Sequence, residues 1–264
     1  MVANPTELIT SDKNTTVKLV KALLTQARQR KKNGQTVIEG VHLIDAALRS
    51  DYPFAQILLA ESAYNHSEVQ QVLSRLPTYT PILTLSDSLY SSIRSLGTGI
   101  DIMAVIKVPE PSLTMIKEDC LILNDVQDSG NVGTLLRTAA AVGIRNILCT
   151  SATAQAWSPK TLRAGMGAQF ALTIYEGLST QDILDQVQVP LLATSSHTDT
   201  LIYDHNLSAP VAWIMGHEGQ GVCDELMQCA TPIALPQPNG QESLNVAIAG
   251  SLCLYETLRQ RNYS

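Results

Sequence analysis

No stretch of about 18 consecutive apolar residues occurs in the 264-residue chain, so no membrane-spanning helix is expected. Met1 to Ser11 lack the charged-then-apolar build of a secretion signal, so none is expected there. The five cysteines, at 120, 149, 223, 229 and 253, include no C-x-x-C pair, and no zinc or other metal site is expected. An odd number of cysteines without a pairing pattern fits a reducing cytoplasm. There is no internal repeat and no low-complexity segment. What remains is an ordinary apolar fraction, 45%, in a chain long enough for one large domain or two modest ones.

Acidic residues are missing from one place in particular. Residues 13–32 hold Lys13, Lys18, Lys21, Arg28, Arg30, Lys31 and Lys32 and no Asp or Glu. The whole chain is nevertheless acidic, at −6. Residues 1–110 carry 11 basic against 10 acidic groups, and residues 111–264 carry 7 against 14. A local positive surface can bind phosphate on a chain of net negative charge. A solvated helix face is the plainer reading of the same cluster.

Hydrophobic spacing predicts a helix over 14–30, ended by Asn33-Gly34. Strands follow at 36–40, 55–60, 81–85 and 102–107, with helices at 42–48, 68–76 and 87–94 between them. This alternation predicts a small α/β domain over residues 1–107. Val108-Pro-Glu-Pro-Ser112 reads as a linker. Residues 113–264 form the second domain, with strands at 120–126, 146–150, 172–175, 190–194, 211–215 and 232–235. Helices are expected at 132–142, 158–167, 181–187 and 224–229, and a long closing helix at 243–261. Such a pattern predicts a mostly parallel sheet with helices on both faces and a site beyond the carboxyl ends of its strands. The closing helix reads as almost wholly apolar, hence buried.

Three strand-end loops stand out. The first is Asp125-Val-Gln-Asp-Ser-Gly-Asn-Val-Gly-Thr-Leu-Leu-Arg137. Gly130 and Gly133 permit close approach, Ser129 or Asn131 can cap the helix, and the helix start favours an anion. It has neither the Gly-Lys-Ser/Thr of a P-loop nor the G-x-G-x-x-G of a dinucleotide fingerprint. Arg137 is the only charge between Asp128 and Arg145. It reads either as a snorkelling helix arginine or as a guanidinium fixed near a phosphate-sized site. The second loop, Trp213-Ile-Met-Gly-His-Glu-Gly-Gln-Gly221, places Glu218 inside a glycine cradle after a buried strand. The third, Ile233 to Asn245, brings Ser243 to the expected start of the closing helix, where it can cap. Ser195, Ser196, His197, Asp204 and His205 lack the G-x-S-x-G turn of a hydrolase triad.

Together the loops resemble the three motifs of the SpoU (TrmH-type) RNA ribose methyltransferases, of the SPOUT superfamily. Asn131, Gly133 and Arg137 match the first motif, and Gly216, Glu218, Gly219 and Gly221 the second. Pro236, Gly240, Ser243, Leu244, Asn245 and Val246 match the third. Ser158 to Gly167 is also family-like, and Val37 to Leu43 looks like the entry of the family's substrate-binding domain. Gln237, His217 and Ala247 depart from the common Met, Asn and Ser.

The resemblance implies a deep trefoil knot, a homodimer formed through the C-terminal domain, and S-adenosylmethionine as methyl donor. It implies donor contacts at Gly216, Gly219, Leu235 and Leu244, with the strand end at Ala193 and Thr194 a further wall. It implies transfer to a ribose 2′-hydroxyl of structured RNA. Ribosomal RNA leads, with transfer RNA or a non-catalytic RNA-binding role the alternatives. Arg137, Asn131, Glu218, Ser243 and Asn245 become the catalytic set, with Glu218 and Asn131 holding Arg137 and the loops in place. Arg137 itself would serve as base, or would orient the hydroxyl and stabilise its charge while a phosphate near Ser243 and Asn245, or water, takes the proton. Arg28, Arg30, Lys31 and Lys32 become the RNA grip.

Overall fold

A computed structural model describes residues 8–95, 97, 99–238 and 243–263. In chain order the elements are α1 (Thr15–Thr25), α2 (Ala27–Asn33), β1 (Gln35–Glu39), α3 (Val41–Arg49), β2 (Phe54–Ala60), α4 (Ser67–Arg75), β3 (Ile82–Leu85), α5 (Asp87–Ile93) and β4 (Ile102–Lys107). Then come β5 (Cys120–Leu123), α6 (Ser129–Val142), β6 (Asn146–Thr150), α7 (Pro159–Ala164), β7 (Thr173–Leu178), α8 (Thr180–Gln186), β8 (Leu191–Thr194), β9 (Ala212–Met215), α9 (Asp224–Met227), β10 (Thr231–Ile233) and α10 (Val246–Asn262). None of these helices is long and apolar enough to cross a membrane.

The chain divides into two compact units. The first combines Met1–Pro109 with Trp157–Phe170; the second combines Glu110–Ala156 with Ala171–Ser264. Contiguous reading of the sequence assigns 157–170 to the second half, but its side chains pack with the first. The Trp157 ring lies 5.9 Å from Tyr52 and 6.1 Å from Phe170, and Thr36 Oγ1 donates to the Trp157 carbonyl at 2.7 Å.

The first unit is built on a four-stranded sheet of order β1-β4-β2-β3, in which only β2 and β3 run parallel. Val17, Val20 and Leu23 bury one face of α1. The single helix expected over 14–30 is instead two. Gln26 takes an extended conformation between α1 and α2. Arg30 Nη1 reaches back to donate to the Leu23 carbonyl at 2.8 Å, so a carbonyl from the last turn of α1 is satisfied without helix continuation. Gly34, at φ +58°, closes α2 in the left-handed region that glycine adopts freely.

The second unit carries a six-stranded, all-parallel sheet of order β10-β8-β9-β5-β6-β7. Successive side chains of a strand point to opposite faces. Cys120, Ile122, Ala212 and Ile214 share a core with Ile183 of α8 and Leu226 of α9. On the other face, Trp213 Nε1 donates to Thr257 Oγ1 of α10 at 2.9 Å. There α6 crosses α10 closely, with Thr138 Oγ1 3.0 Å from Ser251 Oγ. A Cβ at Gly250 would sit 2.4 Å from Leu135 and 3.0 Å from the Met215 sulfur, so a glycine makes this approach possible.

Two expectations for α10 need correction. It begins at Val246, and its cap is Asn245, whose Oδ1 accepts from the main-chain N–H of Ala247 at 2.9 Å and of Ile248 at 3.2 Å. Ser243 is exposed and lies before the cap. Nor is the helix buried all round: Ile248, Leu252 and Tyr255 are 54%, 47% and 53% exposed. Their spacing of four and three residues places them on one stripe, while Val246, Gly250, Cys253 and Thr257 face inward.

Candidate functional site

In a parallel sheet all carboxyl ends lie at one edge, so the segments leaving β5, β9, β8 and β10 emerge together. Asn124, just past β5, is buried and joins two of them. Its N–H donates to the Met215 carbonyl at 2.8 Å, and its Oδ1 accepts from Cys223 N–H at 2.7 Å. Asp125 then turns the chain at φ +60°. Its N–H donates to Thr150 Oγ1 at 2.8 Å and to Thr153 Oγ1 at 3.1 Å, while the Thr150 hydroxyl donates to its carboxylate at 2.5 Å. These contacts hold a left-handed conformation that is unfavourable for a residue with a Cβ.

The cap of α6 is Asp128, not Ser129 or Asn131. Its Oδ1 accepts from the N–H groups of Gly130 at 2.8 Å and Asn131 at 2.9 Å. Asn131 is therefore left free to use its side chain elsewhere. Its Nδ2 donates to Glu218 Oε1 at 2.9 Å, and its Oδ1 accepts from Asn245 Nδ2 at 3.1 Å. Glu218 also accepts from Gln127 N–H on Oε2 and from Asp128 N–H on Oε1, both at 3.2 Å. One carboxylate and two amides thus tie together all three loops. Desolvation pushes the Glu218 carboxyl upward, but hydrogen bonds from the Asn131 side chain and from the main chain of Glu218, Gln127 and Asp128 outweigh it. The group is held below the ordinary carboxylate range.

The second loop folds back on itself. His217 and Gly221 exchange both main-chain hydrogen bonds at 2.9 Å. A Cβ at Gly216 would lie 2.2 Å from the Gly221 carbonyl carbon, and Gly221 adopts φ +75°. These two glycines are required by the fold of the loop itself. Gly219 is different, because a Cβ there would meet only the His217 ring, at 3.6 Å.

Beside this loop, Ala193 is fully buried in the core, which leaves Thr194 as the accessible member of that pair. Thr194 Oγ1 lies 3.9 Å from the Met215 sulfur. Leu235 is half-buried and Leu244 is 37% exposed. Gly240 lies outside the described residues. Among the described residues, the main-chain N–H groups of Leu235 and Gln237 have no hydrogen-bond acceptor, and the buried Gln237 Oε1 has no donor. Unpaired polar groups beside small and apolar side chains fit a flat heteroaromatic ligand that brings its own donors and acceptors. S-adenosylmethionine is such a ligand, and it supplies an electrophilic methyl group on a sulfonium.

Arg137 stands apart from the network. It lies on the exposed face of α6, six residues beyond Asn131, and makes no hydrogen bond or ion pair among the described residues. Asn131 and Glu218 hold the loops, and neither hydrogen-bonds Arg137 among the described residues. Ser243 and Asn245 are exposed at the start of α10. His197, Asp204 and His205 form no side-chain triad among the described residues, and no cluster there could hold a metal. In the first unit, Arg28, Lys31 and Lys32 are exposed, while Arg30 is partly engaged by Leu23. Sequence reading opened the first loop at Asp125 without giving it a role, and did not single out Asn124, Thr150 or Thr153. The available signal was a run of polar residues at the ends of two apolar strands.

Residues 119–255 match the SpoU rRNA Methylase family, and residues 14–104 match the MRM3-like substrate binding domain. The chain is 33% identical to the 23S rRNA (guanosine(2553)-2′-O)-methyltransferase RlmP of Bacillus subtilis, over 94% of this chain and 97% of that one. It is similar to an AdoMet-bound rRNA methyltransferase from Sinorhizobium meliloti, with 28% identity, a TM-score of 0.85, and 98% and 99% of the two chains covered. It shares its fold with the SpoU methyltransferase AviRb from Streptomyces viridochromogenes in complex with AdoMet, at 22% identity, a TM-score of 0.88, and 96% and 100% coverage. With its three strand-end loops tied by Asn131, Glu218 and Asn245, and with a sequence match over 119–255, this chain belongs to the SpoU rRNA methylase family, S-adenosylmethionine-dependent RNA methyltransferases.

Proposed function

We propose that this protein transfers a methyl group from S-adenosylmethionine to a ribose 2′-hydroxyl of 23S ribosomal RNA, as a cytoplasmic homodimer with a knotted C-terminal domain. The observation that carries the reading is the Asn131–Glu218–Asn245 network, which gathers three loops at one sheet edge. Thr194, Gly216, Gly219, Leu235 and Leu244 hold the donor. Arg137, exposed and without a partner among the described residues, is available to meet the hydroxyl and stabilise its developing negative charge. A guanidinium keeps its proton in proteins and is a poor base, so a substrate phosphate near Ser243 and Asn245, or water, accepts the proton. Arg28, Lys31 and Lys32 grip the RNA backbone. A second copy covers the Ile248, Leu252 and Tyr255 stripe of α10.

The test is incubation of purified protein with 23S rRNA, or with tRNA, and radiolabelled S-adenosylmethionine, followed by nucleoside analysis. A 2′-O-methylnucleoside from 23S rRNA is expected. Label on a base, or on tRNA alone, would overturn the assignment.

A further inference from the structure

His217 sits between Gly216 and Glu218 in the second loop and is half-buried. Its imidazole Nδ1 accepts two main-chain hydrogen bonds, from Gly219 N–H at 2.9 Å and Gln220 N–H at 3.1 Å. The donors lie two and three residues ahead of the acceptor. Two asparagines elsewhere in the chain make the same pattern. Asn14 Oδ1 accepts from Thr16 and Val17, and Asn245 Oδ1 accepts from Ala247 and Ile248. The ring of His217 therefore does the work of an asparagine side chain: it satisfies two N–H groups that the turn would otherwise leave unpaired.

An asparagine accepts at any pH, but an imidazole does not. Only a ring nitrogen without a proton can accept, and the imidazolium has none. Protonation puts a hydrogen on Nδ1 and turns two attractive contacts into repulsive ones. The charged groups that hydrogen bonds gather at this turn are all carboxylates. Glu218 is occupied by Gln127, Asp128 and Asn131. Asp128 is occupied by Gly130 and Asn131. Just after the loop in sequence, Asp224 and Glu225 open α9, with Glu225 accepting from Thr180. From α10 the turn is met through neutral Asn245, by way of Asn131. None of these groups can replace Nδ1 as acceptor for Gly219 and Gln220.

We propose that His217 is a positioning residue for the donor loop, whose neutral imidazole folds the Gly216–Gly221 turn, so that acid weakens donor binding by unfolding that turn. The proposal rests on the placement of the methyl donor against this loop. It makes the family's cofactor loop acid-sensitive in this chain through one side chain.

The experiment compares wild type, His217→Asn and His217→Ala at about pH 8 and about pH 5, the interval over which histidine changes charge. S-adenosylmethionine affinity is read by calorimetry. Taking wild type relative to His217→Asn cancels the ionisation of the ligand itself. The expected result is a further loss of roughly tenfold for wild type on acidification, the equivalent of about one hydrogen bond, with no such loss for His217→Asn. His217→Ala binds weakly at both pH values, and His217→Asn recovers most of that loss. Parallel pH profiles for wild type and His217→Asn would overturn the proposal. So would a His217→Ala protein that binds as tightly as wild type. Hydrogen exchange at the Gly219 and Gln220 amides, in the ligand-free protein, tests the turn directly. Wild type should lose protection at low pH relative to His217→Asn, and equal protection rejects the role of the ring. A wild type that binds no S-adenosylmethionine at either pH, yet shows that exchange difference, rejects the donor placement and leaves the turn intact.

Discussion

Asn131 donates its side-chain N–H to Glu218 at 2.9 Å across 87 residues of sequence, and this contact joins the start of α6 to the loop after β9. Asn131 then accepts from Asn245, so the same side chain also fixes the start of α10. Arg137 is left outside this chain of bonds. The network sets the frame, and the Arg137 guanidinium stays exposed.

Arg137→Ala should lower methyl transfer by about a hundredfold or more, the usual cost of removing a group that stabilises developing charge. Donor affinity should stay within a few fold, since Arg137 is exposed and makes no hydrogen bond or ion pair among the described residues. Turnover close to wild type, measured on 23S rRNA, would remove Arg137 from the mechanism.

Glu218→Ala should loosen all three loops, with a fall in activity of about tenfold, modest because the carboxylate is solvent-exposed. The carboxyl is held below its ordinary value by its hydrogen bonds. Its contribution to stability is therefore present above the unfolded-state pKa and is lost as pH falls through the lower folded-state value. Melting curves of wild type and Glu218→Gln should converge in acid and separate near neutrality. A constant gap across that range is incompatible with the proposed bonding.

The glycines of the second loop separate structural need from ligand need. Gly216→Ala forces a Cβ onto the Gly221 main chain, so the melting temperature should fall together with donor affinity. Gly219→Ala meets only the His217 ring at ordinary contact distance. Its melting temperature should not change, while donor affinity drops because the methyl group occupies ligand space. Full donor affinity in Gly219→Ala would place the donor elsewhere.

Arg28, Lys31 and Lys32 changed together to Glu should weaken RNA binding and flatten its salt dependence. Each lost phosphate contact reduces the slope by about 0.7 to 0.9. Arg30 is best left in place, since its bond to Leu23 closes the break between α1 and α2. RNA titrations at several salt concentrations decide the matter, and an unchanged slope would make the cluster a solvated face.

Cys229 is exposed, whereas Cys120, Cys149 and Cys253 are buried. Burial pushes the Cys120 and Cys253 thiols up to about 12, so they stay protonated and inert near neutrality. Alkylation followed by mass spectrometry should label Cys229 rapidly in the native protein, and the buried three only on unfolding. Native-state labelling of Cys120 at a comparable rate would contradict the packing of β5.

Local pattern determined the order of strands and helices, because burial on a parallel sheet imposes apolar runs such as Cys120 to Leu123, and turn chemistry punctuates them. It also singled out Glu218, an acid among glycines at a strand end, and Arg137, a lone charge in an apolar helix, whereas the resemblance to the family brought Asn131 and Asn245 to the site. Pattern could not reveal which residue caps which helix. Asp128 and Asn245 displaced Ser129 and Ser243 because capping depends on where the main chain turns, a matter of one or two residues. Nor could it show the break at Gln26, where α1 ends without any glycine or proline. The exposure of Ile248, Leu252 and Tyr255 was hidden because an apolar residue has the same composition on either side of a helix. The packing of Trp157–Phe170 with the first unit rests on Tyr52 and Thr36, more than a hundred residues away. Contacts between such distant positions exist only once the chain is folded. That is why tertiary structure alone decided that Glu218 binds Asn131 and that Arg137 has no partner among the described residues.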